Sequence, residues 1–149
     1  MRIVEDLIVL DSKQRFQFFD ITDKIEELIS KKNLINGLLL IYSKHTTLAI
    51  RVNEKESGIF HDAEQFLSET LPKNKYYRHN DFDIRTENLV CDGECVNGDS
   101  HIKHFLLGAS ETVPIKDGKL QFGTWQKILA IELDGPRKGR VILVKFIGE

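Results

Sequence analysis

The chain has 149 residues, which suits one domain of ordinary size. Hydrophobic residues make up 41% and charged residues 30%, a globular balance that argues against a disordered or fibrous chain. Lysine plus arginine number 21 against 23 acids, so the net charge of −2 argues against a general nucleic-acid surface and leaves room only for a local anion pocket.

The opening run, MRIVEDLIVLDS, carries acids and no small-residue cleavage site, so it does not read as a signal peptide. No segment approaches the ~20 apolar residues that span a bilayer. Two cysteines, Cys91 and Cys95, are too few for a disulfide framework. A cytoplasmic protein with no membrane partner is expected. No linker or repeat divides residues 1–149, which read as a single domain.

Arg2–Leu10 and Arg15–Phe19 are rich in strand formers, with Asp11 and Ser12 as a turn, and predict an opening hairpin. Asp23 is the expected N-cap of a first helix whose apolar face is Ile25, Leu28 and Ile29, closed by Asn33, Asn36 and Gly37. GLLLIYSKH and TTLAIRVNE follow as strands, the first apolar enough to be covered on both faces. A second helix runs from about Ser57 to Thr70, with Ile59, Ala63, Phe66 and Leu67 as its buried face and Asp62 at the margin. Pro72 ends it.

Lys73–Asn97 is polar and irregular, and long connections of this kind are usually functional. A short helix in NGDSHIKHFLLG is expected next, capped by Asp99 or Ser100 and stopped by Gly108. Then SETVPIK and KLQFGTWQ flank Asp117-Gly118, a hairpin signal. KILAIELDG and GRVILVKFI supply two more strands. This order predicts an α+β domain with a mixed or antiparallel sheet and two to three helices.

Histidine dominates the candidate chemistry. His45 lies between two strands, His79 in the long loop, and His101 and His104 on the short helix. Three histidines from separated segments suit a catalytic metal site with one open position. Scattered, hydrogen-bonded histidines produce the same spacing, which is not a ligand run such as HExxH. His61 reads as solvated. Asp62 is either a solvated helix acid or, functionally, a metal ligand or an orienter of a histidine. NGDSHIK opens a helix whose free N–H groups can hold a phosphate, with Ser100 and Lys103 adding a hydroxyl and a charge. An ordinary capped helix looks the same. Arg137, Lys138 and Arg140 are either phosphate ligands or a solvated basic turn. Cys91 and Cys95, in CxxxC spacing without a second pair, read as ordinary loop thiols.

Taken in order, HTTLAIRVNE, the helix with HDAEQFL, YYRHND, NGDSHIKHFLLGASETVPI, GKLQFGTWQ and ELDGPR resemble the YjbQ family, also labelled UPF0047 and described as secondary thiamine-phosphate synthase. LLGxSxTVP followed by GTWQ is the most diagnostic pair. The resemblance implies a homotrimer, with a cleft near the subunit boundary that holds the histidines and a divalent metal, Zn or Mg. By matching positions it implies His45, Asp62, His79 and His101 as the catalytic set, with His45, His79 and His101 as metal ligands. Asn53, Ser100, Lys103, Thr124 and Gln126 match other recurrent polar positions and, with Arg137, are the substrate-binding candidates. His104 ranks lower, and LVCDGECV lies outside the pattern.

The implied activity is a metal-dependent transferase that joins a pyrimidine diphosphate to a thiazole phosphate and releases pyrophosphate. Such a reaction needs a metal and cationic donors on the departing group. Trp125 or Phe82 would wall a ring. The same pocket suits a trimeric protein that binds a metal or a phosphorylated metabolite without turnover. It also suits a metal-dependent hydrolase of such a metabolite.

Overall fold

A computed structural model describes residues 1–90 and 95–149. Cys91, and with it half of the CxxxC reading, lies outside the described residues. The opening strand, β1 (Arg2–Leu10), turns Ile8 and Leu10 inward and leaves Ile3, Leu7 and Val9 outside. The run after it does not fold back as a hairpin. Instead β1 pairs antiparallel with β8 (Arg140–Gly148), and β2 (Gln17–Asp20) pairs with β7 (Gln126–Glu132) in another sheet. The cause lies between them. Ser12 N–H donates to the Arg137 carbonyl at 2.7 Å, and Phe16 takes a left-handed φ of 54°. Tied down at Ser12 and redirected at Phe16, the chain crosses from one sheet to the other.

The first helix, α1 (Thr22–Lys32), buries Ile25, Leu28 and Ile29 as the spacing predicts. Asp23 is not its cap but lies in the first turn. The Asp20 carboxylate accepts from Thr22 N–H instead, at 2.9 Å, and Asn33 closes the helix in the left-handed conformation. Strand β3 (Gly37–Ser43) alternates rather than being covered twice: Leu39 and Ile41 are buried, while Leu38 and Tyr42 are exposed. β4 (Leu48–Glu54) and α2 (Ser57–Thr70) follow. Glu56 caps α2 by accepting from the Gly58 and Ile59 N–H groups. Only Leu67 of its expected apolar face is buried, and Phe66 and Ile59 stay exposed.

After the long loop come α3 (Gly98–Leu107), β5 (Ser110–Lys116) and the very short β6 (Lys119–Leu120). Asp117 and Gly118 both take positive φ, 51° and 71°, which gives the two-residue turn its twist. Of GTWQ only Gln126 is strand, as the first residue of β7.

One sheet has the order β1-β8-β3-β5-β6 and the other β2-β7-β4, with every pairing antiparallel. The domain is thus α+β, with two antiparallel sheets and three α-helices among the described residues. Leu39, Ile41, Val144 and Phe146 of the first sheet meet Ile50, Ile128 and Ala130 of the second, and α1 joins this core. Leu67 of α2 and Leu107 of α3 cover the other face of the second sheet, over Ala49, Leu129 and Ile131. The outer face of the first sheet has no such cover. Ile3, Leu7, Val9, Leu38, Tyr42 and Ile147 lie there in register and exposed. Among the described residues no helix is long and apolar enough to cross a membrane.

Candidate functional site

The site is built outward from a buried ion pair. Glu132 ends an apolar strand and is fully buried. Arg140 Nε and Nη2 donate to its two oxygens, each at 2.6 Å, and Arg140 Nη2 also donates to Thr47 Oγ1 at 2.6 Å. Burial raises the Glu132 pKa, but the arginine and the Asp134 N–H outweigh it and hold the carboxyl below its ordinary range. The Asp134 N–H donates to Glu132 Oε1 at 3.0 Å, which fixes where the next turn leaves the sheet.

Asp134 Oδ2 then collects three donors. Arg137 Nη2 lies at 2.6 Å, Arg137 Nε at 3.1 Å and Asn97 Nδ2 at 2.9 Å. Asn97 is the residue before α3, and its carbonyl accepts from the Ser100 and His101 N–H groups. One acid therefore joins the loop that carries Arg137 to the helix that carries His101. Arg137 Nη2 also reaches Cys95 Sγ at 3.0 Å, and its pKa is raised, chiefly by Asp134.

The long loop supplies the opposite wall. A single 3-10 turn, Arg78–Asn80, packs on the start of α3, where a Cβ on Gly98 would lie 2.7 Å from Tyr77 Cβ. This close approach sets the His79 ring 4.5 Å from the His101 ring, centroid to centroid, at a tilt of 54°. Arg85 Nη1 lies 3.3 Å from both His79 Nε2 and the His79 carbonyl. The resulting cleft, about 880 Å³, is lined by Arg78, His79, Arg85, His101 and Arg137, by the acid Glu87, and by Thr46, Asn88, Cys95 and Asn97, with Ile84 and Val90 as its apolar part. It falls within the size range of small-molecule sites. Three guanidinium groups outnumber the one carboxylate of this lining, a balance that favours an anion, although Arg85 already gives its donors to the Glu87, His79 and Asn88 carbonyls. Burial, and then His79 beside it, lowers the His101 pKa, so its imidazole is neutral at pH 7.

The other expected residues are placed as follows. His45 Nε2 accepts the Val141 N–H at 2.8 Å, so its proton sits on Nδ1. Burial, and then the charge of Arg140, lowers its pKa. Ser100 and Lys103 face inward rather than into the cleft. Ser100 Oγ donates to the Leu133 carbonyl at 2.7 Å, and Lys103 Nζ lies 2.6 Å from Asp99 Oδ2 and 5.3 Å above the Phe16 ring. Arg15 donates to the same Asp99 oxygen. The start of α3 is consequently closed: Gly98 N–H donates to Asn80 Oδ1, and Gly98, Asp99 and Ser100 are buried. The expected cap side chains serve elsewhere, so α3 has no side-chain cap. His104 Nε2 is buried and finds no hydrogen-bond partner among the described residues. Asp62 is exposed on α2 beside His61.

Asn53 and Gln126 lie at the far end of the β4–β7 ladder. Leu48 pairs with Glu132 at the cleft end, and Glu54 pairs with Gln126 six residues away. At the rise of a strand this separates the two groups by about 20 Å. Thr124 and Trp125 sit beside Gln126 at that far end and are exposed.

A metal held by His45, His79 and His101 does not fit these positions. His45 commits Nε2 to a backbone N–H, and His79 Nε2 faces a guanidinium. Among the described residues, no three His, Cys, Asp or Glu side chains converge on one point. Sequence reasoning missed Glu132, Asp134, Asn97 and Arg85. The signal for Glu132 was an acid ending the apolar run KILAI.

Residues 6–149 match the family described as UPF0047 protein YjbQ-like. A UPF0047 protein of Archaeoglobus fulgidus is 39% identical over 136 residues, which cover 91% of this chain and 96% of that protein. The UPF0047 protein YugU of Bacillus subtilis is 31% identical over 93% of this chain and 96% of its own. Among solved structures, a YbjQ-like protein of unknown function from Sulfolobus solfataricus superposes with a TM-score of 0.87 at 34% identity, covering 99% of each chain. A hypothetical protein from Aeropyrum pernix K1 gives 0.82 at 34% identity over the full length of both.

Proposed function

The chain belongs to the YjbQ-like UPF0047 family, and from that premise we propose that its cleft binds a phosphorylated small molecule and expels pyrophosphate in a transferase reaction of the thiamine-phosphate synthase type. One observation carries this reading: Arg78, Arg85 and Arg137 line one cleft together with His101 and its neighbour His79.

The chemistry asks little of the protein beyond charge and placement. The thiazole nitrogen attacks the methylene carbon that bears the diphosphate. A C–N bond forms as the C–O bond breaks, and the electron pair leaves with pyrophosphate. No proton need be removed from that nitrogen. What the reaction needs is cationic stabilisation of the departing charge, placed before the reaction begins. The arginines of the cleft supply it, and no step here runs through a metal. Neutral His101 offers a hydrogen bond to a phosphoryl oxygen or to the pyrimidine ring. His45 acts indirectly, by tying the β3–β4 connection that carries Thr46 to β8.

The proposal includes a homotrimer. The exposed apolar rows on the outer face of the first sheet are the kind of surface that self-association buries. In such an assembly Asn53, Thr124 and Gln126, some 20 Å from the cleft of their own chain, serve the cleft of a neighbour. Asp62 belongs to the same proposal.

The test is thiamine-phosphate formation by purified protein from the two phosphorylated precursors, with Arg137→Ala and His101→Ala alongside. Turnover at ordinary rates of ~1–1000 per second, lost in both variants, supports the synthase reading. Binding of phosphorylated ligands without product identifies a binding protein, and phosphate release from single metabolites a hydrolase. Failure to bind any phosphorylated compound overturns the proposal.

A further inference from the structure

We infer that Asp134 is a positioning residue that aims Arg137 at an anion in the cleft and sets the helix of His101 beside it. The inference rests on the anion-cleft reading above and adds to it a residue that works through another.

A guanidinium carries five N–H bonds in a fixed plane. Arg137 gives its Nε proton and one Nη2 proton to Asp134 Oδ2, at 3.1 and 2.6 Å, and Nη2 also reaches Cys95 Sγ at 3.0 Å. One edge of the plane is thereby taken. Nη1 makes no hydrogen bond among the described residues, and Arg137 lines the cleft, so this is the group left for a ligand. Arginine on its own swings through many rotamers, and holding it costs entropy when a ligand must do so. Asp134 meets that cost during folding.

Asp134 is suited to the work because it is itself immobilised. Its side chain is 8% exposed, its N–H is held by Glu132, and Glu132 is held by Arg140. The same oxygen that grips Arg137 accepts Asn97 Nδ2 at 2.9 Å. The Asn97 carbonyl in turn receives the His101 N–H at 3.3 Å. Loss of the Asp134 carboxylate thus frees Arg137 and loosens the start of the helix that bears His101. A cation left on a swinging side chain binds phosphate as a diffuse charge rather than in a fixed geometry.

The test is a double-mutant cycle on pyrophosphate binding by calorimetry, using Asp134→Ala, Arg137→Ala and the double variant of the full chain, with Tm measured for each. Wild type must bind, and if it does not, the anion-cleft reading fails before this inference is reached. Given binding, Asp134→Ala is expected to weaken it by about tenfold or more, as is usual when an outer partner of a ligand-contacting group is lost. In the Arg137→Ala background the same change is expected to cost less than about twofold, because its route is gone. Equal losses in both backgrounds, or no loss in the first, would overturn the inference. Asp134→Asn supplies the check on folding. It keeps an acceptor oxygen for Arg137 and Asn97, so it is expected to hold Tm near wild type and to lose less affinity than Asp134→Ala, and a loss as large as that of Asp134→Ala at an unchanged Tm would also overturn the inference.

Discussion

Replacing Arg140 by Ala removes the group on which the cleft is founded. Three hydrogen bonds vanish at once: two to Glu132 and one to Thr47, all at 2.6 Å. Glu132 stays buried, with only Ser12 Oγ and the Asp134 N–H as donors. An unpaired buried carboxylate can escape by taking a proton. At pH 7 that costs about 3.4 kcal/mol for a group with an ordinary value of 4.5, at about 1.36 kcal/mol per pH unit. Breaking a buried ion pair from one side generally costs about 3–5 kcal/mol, which agrees. For a chain of this length the expected fall in Tm is roughly 6–20 °C. Thermal and urea unfolding at fixed protein concentration measure it. The control is the double variant Glu132→Leu with Arg140→Met, which removes both charges and should be less damaging than Arg140→Ala alone. A loss below about 1 kcal/mol, small beside that one-sided cost, would refute the reasoning, as would a double variant that merely adds the two single losses.

Acid should act through the same buried acids. Asp99 and Glu132 are buried, which alone raises their pKa, but Lys103 and Arg15 on one and Arg140 on the other lower both below their ordinary values of 3.8 and 4.5. Their contribution to stability is present above those unfolded values and is lost as pH falls through the lower folded ones. Urea midpoints should therefore hold down to about pH 4.5 and drop steeply below it, and a flat profile down to pH 2.5 would contradict this. The proposed trimer is checked by replacing Leu38 by Asp on the outer sheet face: a trimeric mass for wild type that falls to monomer in the variant without unfolding is expected in light scattering, and an equal mass for the two would discard that interface. Treatment with a strong chelator should leave pyrophosphate affinity within about twofold of the untreated protein if the proposed arginine site binds the anion by itself. Loss of affinity that zinc or magnesium restores would reverse that reading.

Much of the architecture was legible because period and turn chemistry are local. The buried stripe of α1, the bounds of α2, and the Asp117-Gly118 turn all follow from residues close together in the chain. The failed hairpin did not, because Ser12 is held by Arg137 from the other end of the molecule. Nor was the fate of Ser100, Asp99 and Lys103 legible. A serine, an acid and a lysine at a helix start look like a phosphate site until Arg15 arrives from 84 residues away and buries the acid. The histidines were picked out by type, and two of them do meet at 4.5 Å. What set them together, the packing of the His79 turn on Gly98 with the Gly98 N–H on Asn80 Oδ1, is a contact across 18 residues that no spacing rule contains.

The most direct test of the central claim is the affinity of the intact protein for pyrophosphate, measured by titration calorimetry at pH 7 for wild type and Arg137→Ala. The account predicts saturable binding by wild type, with one site per chain, and a loss of at least about tenfold on removing the guanidinium that faces the cleft. Equal affinity in the two proteins, or no binding by either, would contradict it.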